Sequence, residues 1–173
     1  EFDSKKPLLL VVDDNRDIHK LIGALLGADY NVIYASDGQQ GVKMAVKYVP
    51  DLVVCDVMMP VMDGMECVKR IKSEITTSHI PVLMLTACSL DEQRVEGYDN
   101  GADGYLPKPF GGDVLASRCR NLLMNRKRIK SIYGKGAIAE NEKDGKGRAI
   151  PRTKVVPNDV ESDFYTRFMK IVE

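Results

Sequence analysis

Five short apolar runs, separated by segments with helical spacing, constrain the fold of this 173-residue chain most strongly. Residues 8–12 are continuously apolar, as expected of a strand that is buried on both faces of a sheet. Similar runs follow at residues 32–35, 52–55, 82–85 and 104–106. This alternation predicts an α/β protein whose five-stranded parallel sheet is doubly wound, with helices on both faces.

Between the apolar runs, apolar residues recur at the spacing of amphipathic helices. The first predicted helix stops at Gly27 and the second before Pro50, while the third continues through Ile75. Residues 91–100 are predicted to form a polar helix with weak patterning. In doubly wound folds, ligands bind outside the carboxyl ends of the strands, at a switch point in strand order.

The last predicted helix ends at Gly134 and Gly136, so residues 7–133 are assigned to one domain. Residues 134–157 combine glycine, proline and mixed charge, and we expect them to form a flexible basic linker. Residues 158–173 carry apolar side chains at helical spacing. They are predicted to form an amphipathic helix that leads to an output domain outside this chain.

Charge is balanced over the whole chain, with 25 acidic and 25 basic residues, but it is unevenly distributed. Residues 126–157 contain 10 basic and 3 acidic residues, whereas residues 1–125 contain 13 basic and 18 acidic residues. The basic run at the start of this segment is consistent with a nucleic-acid patch or with a solvated helix end that the helix dipole stabilises: Arg126, Lys127, Arg128 and Lys130. The second interpretation is favoured, because such runs at helix ends are common.

The chain has four cysteines without metal-ligand spacing, and they are expected to be reduced and mostly buried: Cys55, Cys67, Cys88 and Cys119. The sequence shows no apolar run long enough to span a bilayer and no signal peptide. We therefore expect a cytoplasmic location and no membrane contact by this chain, whether or not the parent protein is membrane-anchored.

Charged and hydroxyl side chains stand where four of the predicted strands end. Asp13 and Asp14 follow the first strand, Asp56 ends the third, Thr86 ends the fourth and Lys108 follows the fifth. The carboxyl ends of parallel strands share one edge of the sheet, so these groups are expected to converge. Three clustered carboxylates require positive charge, and their oxygen atoms suit Mg²⁺.

This combination of groups predicts phosphoryl chemistry. A carboxylate attacks a phosphoryl donor only if cations neutralise the repulsion between two negative groups, which Mg²⁺ and Lys108 would do. Asp56 is the predicted nucleophile, because it lies on a central strand between the other charges. Thr86 would donate a hydrogen bond to the bound phosphoryl group. Taken alone, Asp13 and Asp14 would favour an N-cap for the first helix over a functional site.

Residues 7 to about 125 resemble a response-regulator receiver domain of two-component signalling. The resemblance rests on motifs at the strand ends, in this order: Asp13-Asp14, Asp56, Met59-Pro60, Asp63-Gly64, Thr86-Ala87 and Lys108-Pro109-Phe110. It implies a flavodoxin-like sheet and a phosphoprotein that takes a phosphoryl group from a sensor histidine kinase, in cis or in trans, with Mg²⁺ as cofactor.

The resemblance also implies residue roles. The Mg²⁺ ligands would be Asp13, Asp14, Asp56 and the backbone carbonyl of Met58, while Lys108 would contact the phosphoryl group. Thr86 and Tyr105 would form the switch pair that transmits phosphorylation to an output domain controlling transcription. The predicted helix at residues 91–100, the fourth strand and the fifth strand would form the moving output face. The surface from that helix to the fifth strand is a candidate homodimer surface.

More loosely, the C-terminal segment resembles the region after the receiver in hybrid two-component sensors, which leads to an AraC-type DNA-binding domain. We therefore expect no direct DNA binding by this chain, and no enzymatic activity beyond its own phosphorylation and dephosphorylation. The alternative is a Mg²⁺-dependent phosphatase with an aspartyl-phosphate intermediate. Its usual motif places the nucleophile after the first strand with a second aspartate two residues later, whereas Asp13 and Asp14 are adjacent. A nucleotide-binding fold is disfavoured, because no glycine-rich phosphate motif follows the first strand.

Overall fold

The computed structural model describes residues 2–87 and 101–138, with side chains through Ile132. These residues form a five-stranded parallel sheet with the strand order β2-β1-β3-β4-β5. The strands are β1 (Leu8–Val12), β2 (Asn31–Ala35), β3 (Leu52–Asp56), β4 (Val82–Thr86) and β5 (Gly104–Pro107). The predicted α/β class and the doubly wound parallel sheet are confirmed.

Four described helices connect and flank the strands: α1 (Arg16–Leu26), α2 (Gly38–Tyr48), α3 (Gly64–Ser73) and α4 (Gly112–Ile138). The first three begin at N-cap residues whose side chains accept a hydrogen bond from a backbone N–H in the first turn: Asn15, Asp37 and Asp63. These short polar side chains fix where each helix starts after its strand.

The sheet is buried on both faces, which explains why its strands are continuously apolar. On β1, Leu9 and Val11 pack into the core beneath α1 and α4, together with Ile22 and Leu115. The alternate residues of β1, Leu10 and Val12, pack into the core beneath α2 and α3. Ala45 and Ile71 are among their neighbours. Consecutive residues of the strand thus pack against helices on opposite faces of the sheet.

Two predicted helix ends differ from the structure. The third helix stops at Ser73, and Ile75 is exposed rather than part of an apolar stripe. The expectation that Gly134 and Gly136 end the last helix is wrong, because α4 continues to Ile138. A glycine in a helix costs about 1 kcal/mol relative to alanine, but unlike proline it keeps its backbone N–H donor.

Several predictions fall on residues that the structure does not describe. They include the polar helix at residues 91–100, Cys88, most of the linker at residues 134–157, and the amphipathic helix at residues 158–173. Among the described cysteines, Cys55, Cys67 and Cys119 are buried free thiols, as predicted. No described helix is both long enough and apolar enough to cross a membrane.

At the amino ends of the strands, carboxylates are paired with a cation and with backbone groups. Asp51, which precedes β3, accepts a hydrogen bond from the backbone N–H of Leu8 at 2.9 Å. Arg126 donates to the backbone carbonyl of Asp51 at 2.9 Å and approaches its carboxylate at 3.4 Å. This arrangement ties α4 to the starts of β1 and β3.

A second arrangement of this kind ties α3 to the starts of β4 and β5. One carboxylate oxygen of Asp103 accepts from the backbone N–H of Val82 at 2.8 Å and from the ammonium of Lys72 at 2.7 Å. Lys72 also donates to the carbonyl of Ile80 at 2.7 Å. We call the groups around Asp51 and Asp103 the amino-edge pairs.

Candidate functional site

The residues singled out at the strand ends meet at the carboxyl edge of the sheet, where the strand order reverses. β1 lies between β2 and β3, so Asp13 at its end is adjacent to Asp56 at the end of β3. Lys108 follows β5 and reaches over from the far side of β4, while its backbone N–H donates to the carbonyl of Thr86 at 2.7 Å. This is the switch-point position expected of a doubly wound sheet.

Lys108 links the two buried carboxylates of the site. Its ammonium nitrogen lies 3.0 Å from Asp56 Oδ1 and 3.3 Å from Asp13 Oδ2. The other oxygen of Asp13 accepts a hydrogen bond from the backbone N–H of Asn15 at 2.8 Å. Asp13 is therefore held by a cation on one side and by the N-cap of α1 on the other.

Asp14 completes an acidic cluster. One carboxylate oxygen from each of Asp13, Asp14 and Asp56 lies within 4.8 Å of the others. Asp13 is 1% exposed and Asp56 8% exposed, while Asp14 is open to solvent. Among the residues that the structure describes, three carboxylates of this cluster therefore face the ammonium group of Lys108. This oxygen-rich, undercompensated donor set fits a hard divalent cation such as Mg²⁺, which retains water molecules as further ligands.

The pKa shifts report the same imbalance. Burial raises the pKa of Asp56, and the charges of Asp13 and Asp14 add to that rise against the opposing effect of Lys108. Burial alone would lower the pKa of Lys108, but its hydrogen bond to Asp56 and the two carboxylate charges outweigh burial and raise it. Lys108 is thus held as a cation, while the ionised form of Asp56 stays incompletely compensated.

The start of α3 packs directly behind the site. A Cβ atom at Gly64 would overlap the backbone carbonyl of Asp56, so only glycine permits this approach. The backbone N–H of Gly64 donates to the carbonyl of Val57 at 2.8 Å, and Asp63 caps α3 through the N–H of Glu66. The Asp63-Gly64 motif was noted in the sequence, but its role in close backbone packing was missed.

The remaining predicted residues lie around this edge. Thr86 ends β4 and is buried, and Tyr105 is a buried residue of β5 that stands opposite Met84 in the strand register. Met58 lies two residues after Asp56, with 72% of its surface exposed. Its backbone carbonyl as a metal ligand, and the switch roles of Thr86 and Tyr105, remain predictions.

A shallow cavity of about 500 Å³ opens beside Asp14 and follows the loop between β3 and α3. It is lined by methionines, other apolar residues and two carboxylates: Asp14, Val57, Met58, Met59, Pro60, Asp63 and Met65. Within the loop, Val61 has a φ of 69°, and the N–H of Met62 donates to the carbonyl of Pro60 at 2.8 Å. This tight turn could not be predicted from the apolar pattern of the sequence.

Comparison with known proteins then decides the family. The family model of the response regulator receiver domain matches residues 9–120, which is more than half of the chain. The chain belongs to this family. Receiver domains act in two-component signal transduction, interact with histidine kinases and generally bind Mg²⁺ at an acidic pocket.

Two curated relatives illustrate the contexts of such a domain. The chain is 33% identical over 171 residues to "Histidine kinase P4" of Formosa agariphila, a match that covers 99% of the chain but 12% of that protein. It is 40% identical over 124 residues to the DNA-binding dual master transcriptional regulator RpaA of Synechocystis, covering 71% of the chain and 52% of the regulator. The chain thus spans only a part of either relative.

A solved structure supports the same fold. The receiver domain of the sensor histidine kinase PA1611 from Pseudomonas aeruginosa aligns with a TM-score of 0.64 and 28% identity. The alignment covers 68% of this chain and 98% of that domain. That structure contains a magnesium ion coordinated in the active-site cleft.

Proposed function

We propose that this receiver domain accepts a phosphoryl group on Asp56 from a histidine kinase in a Mg²⁺-dependent reaction. The observation that carries the proposal is the Lys108 ammonium, 3.0 Å from Asp56 Oδ1, beside the carboxylates of Asp13 and Asp14. This arrangement holds a buried carboxylate next to a fixed cation and leaves a surplus of negative charge for a second cation.

The chain's own residues account for the transfer. A carboxylate oxygen of Asp56 attacks phosphorus, the bond from phosphorus to the donor's imidazole nitrogen breaks, and the imidazole leaves with the electron pair. Lys108 stabilises charge on the transferred oxygens, and the N–H of Asn15 keeps Asp13 in place. Preorganised groups of this kind cost no reorganisation when the reaction occurs.

Asp13, Asp14 and Asp56 would hold the Mg²⁺ ion, joined by the backbone carbonyl of Met58. When bound, Mg²⁺ supplies charge neutralisation for the incoming phosphoryl oxygens. The fit rests on the three carboxylate oxygens within 4.8 Å of one another, and the magnesium-containing relative supports it by similarity.

The proposed response is a two-position switch. A phosphoryl group adds nearly two negative charges and new acceptor oxygens at Asp56. Thr86 ends β4 and its backbone carbonyl accepts a hydrogen bond from the N–H of Lys108, and in this proposal its hydroxyl would turn towards these oxygens. Tyr105, on the adjacent strand, would then occupy the space that Thr86 leaves.

The parent protein is proposed to be a cytoplasmically facing hybrid sensor whose kinase acts in cis or in trans and whose AraC-type output domain controls transcription. The similarity to a histidine kinase over 99% of the chain, and the transcriptional regulator among its relatives, support this context. The chain alone is expected neither to bind DNA nor to turn over external substrates. A sequence-selective complex in a gel-shift assay, or repeated hydrolysis of phosphate esters, would contradict these two expectations.

The proposal is tested by labelling with acetyl phosphate and Mg²⁺, followed by intact-protein mass spectrometry. The full chain should gain one phosphoryl group, and Asp56→Asn should gain none. Asp17→Asn is the matched control, since Asp17 is an exposed carboxylate of α1 that pairs with Lys20 at the surface. Undiminished labelling of Asp56→Asn would remove Asp56 as the acceptor.

A further inference from the structure

The loop between β3 and α3 is tied to the start of α2, a helix that carries none of the predicted site residues. The backbone N–H of Gly38, the first residue of α2, donates to the carbonyl of Met62 at 3.2 Å. The first N–H groups of a helix have no partner within the helix, so they bind acceptors from elsewhere in the fold. Here the acceptor belongs to the loop that follows Asp56, and the hydrogen bond links α2 to the candidate site.

This link depends on the absence of a side chain at Gly38. A Cβ atom at this position would lie 2.5 Å from the carbonyl oxygen of Met62 and 2.9 Å from its Cγ atom. The φ of Gly38 is not in the left-handed region, so glycine is required by the close approach and not by the backbone conformation. Because the nearest atom belongs to the backbone, a larger residue at position 38 would have to displace the loop or the start of α2.

The same loop contains a turn that its own residues do not favour. Val61 has a φ of 69°, and the N–H of Met62 donates to the carbonyl of Pro60 at 2.8 Å, so residues 60–62 form a γ-turn of the rare, strained form. Val61 is 81% exposed, so its side chain gains no burial that would offset the strain. The turn is therefore maintained by contacts elsewhere in the loop.

Those contacts lie on both sides of Met58, whose backbone carbonyl is the fourth proposed Mg²⁺ ligand. Before it, the N–H of Val57 donates to the carbonyl of Leu85 at 3.0 Å. After it, the side chains of Met59 and Met62 pack against the core beneath α2 and α3. The side chain of Met58 itself is 72% exposed, so the position of its carbonyl depends on these neighbours.

We propose that Gly38 is a positioning residue for the Mg²⁺ site. Through its hydrogen bond to Met62, it holds the loop in the conformation that offers the Met58 carbonyl to the ion. This inference rests on the proposed function, because it assumes that the three clustered carboxylates bind Mg²⁺. A ligand that is fixed in advance costs less ordering when the ion binds.

The proposal predicts a change in metal selectivity. Mg²⁺ requires nearly octahedral coordination, whereas Ca²⁺ accepts more flexible geometry. A displaced carbonyl should therefore weaken the binding of Mg²⁺ more than the binding of Ca²⁺. A residue with a structural role alone would lower the melting temperature without changing the ratio of the two affinities.

The test is isothermal titration calorimetry of the full chain with Mg²⁺ and, separately, with Ca²⁺. We expect Gly38→Ala to raise the Mg²⁺ dissociation constant about tenfold and the Ca²⁺ dissociation constant less than about twofold. Gly111→Ala is the matched control, since a Cβ atom there would meet its nearest neighbour, Val114 Cγ2, at an ordinary contact distance of 3.8 Å. This control should leave both dissociation constants unchanged.

Two further variants alter the loop without adding a Cβ atom at Gly38. Met62→Ala removes a side chain that anchors the loop on the core, so it should show the same preferential loss of Mg²⁺ affinity even if Gly38→Ala does not fold. Val61→Gly relieves the strained turn and leaves the anchors in place, because glycine adopts a positive φ without strain. It should retain the wild-type affinity for Mg²⁺ and should not lower the melting temperature.

The outcomes separate this inference from the proposed function. If the wild type binds no Mg²⁺, or if Asp13→Asn does not weaken the binding, the proposed function fails and the inference fails with it. If the wild type binds Mg²⁺ but a folded Gly38→Ala or Met62→Ala protein binds it equally well, the role of Gly38 alone is overturned. Equal losses of Mg²⁺ and Ca²⁺ affinity in these variants would overturn it too. Circular dichroism establishes that each variant is folded.

Discussion

The amino edge and the carboxyl edge of the sheet both carry aspartates and basic side chains, but the two edges differ in how these charges are paired. At the amino edge, Asp51 and Asp103 each pair with one cation and cap the backbone of a neighbouring strand. At the carboxyl edge, three carboxylates share the single ammonium of Lys108. Charge is balanced where it holds elements together and unbalanced at the edge where we propose that Mg²⁺ and a phosphoryl group bind.

The difference indicates how to separate structural from functional charge in this molecule. A carboxylate whose oxygens accept from strand N–H groups and from one cation is compensated within the fold, so it has a structural role. A buried carboxylate that stays undercompensated is unfavourable for folding, and it is retained only where binding or chemistry compensates. Three substitutions and the addition of Mg²⁺ test this contrast between the two edges.

Replacing Lys108 should impair chemistry most. Lys108→Met keeps the aliphatic stem but removes the cation next to Asp56, so phosphorylation by acetyl phosphate should slow by about 10²–10³-fold. The rate is measured by time-resolved intact mass at saturating Mg²⁺. A rate within a factor of two of the wild type would show that Lys108 does not act on the transferred group.

A lysine-to-methionine substitution at the amino edge should instead lower stability and leave the phosphorylation rate unchanged. Lys72→Met removes three donor contacts that join α3 to Ser78, Ile80 and Asp103, and it should lower the free energy of unfolding by about 2 kcal/mol. Urea denaturation measures this loss. Labelling of the folded fraction should proceed at the wild-type rate, and a parallel loss of labelling would undo the distinction between the edges.

Mg²⁺ should stabilise the protein only through the carboxyl edge. At ten times its dissociation constant, the ion should raise the unfolding free energy of the wild type by about 1.4 kcal/mol. Asp13→Asn should abolish most of this increase, because it removes one of the three clustered carboxylates. Asp51→Asn is the amino-edge counterpart and should preserve it, as thermal melts with and without Mg²⁺ would show.

The smallest effect concerns Asp56 itself. Its pKa is raised in the folded protein above the ordinary value of 3.8, so the folded state binds protons more readily than the unfolded chain. Stability contributed by its protonated form is lost as the pH rises from 3.8 through the folded pKa.

Asp56→Asn should therefore melt about 2 °C higher than the wild type at neutral pH in Mg²⁺-free buffer. The difference should narrow as the pH is lowered towards 4 and as Mg²⁺ is added to the wild type. A less stable Asp56→Asn protein under Mg²⁺-free conditions would mean that Lys108 compensates the ionised carboxylate fully.

The sheet and the main site residues were predictable because both depend on local patterns. Each strand is an apolar run of five residues or fewer, and the parallel arrangement alone brings Asp13, Asp56 and Lys108 to one edge. The end of α4 was not predictable in this way. Its continuation past Gly134 depends on small differences in helix stability that a glycine only weakly opposes.

The contacts that hold the charged side chains in place at both edges could not be predicted from the sequence either. Lys72 and Asp103 are 31 residues apart, and nothing in their spacing indicates that they share a hydrogen bond with the start of β4. The backbone N–H of Asn15 on Asp13 and the approach of Gly64 to Asp56 likewise depend on how loops close over the sheet. Local patterns identify reactive side chains, whereas tertiary geometry determines what holds them.

The most direct measurement of the central claim is to trap the acyl phosphate in the unmodified chain. After reaction with acetyl phosphate and Mg²⁺, borohydride reduction converts a phosphorylated aspartate to homoserine, which peptide mass spectrometry locates. Our account predicts homoserine at position 56 and at none of the other aspartates. Homoserine at Asp13, Asp14 or an amino-edge carboxylate, with Asp56 unchanged, would contradict it.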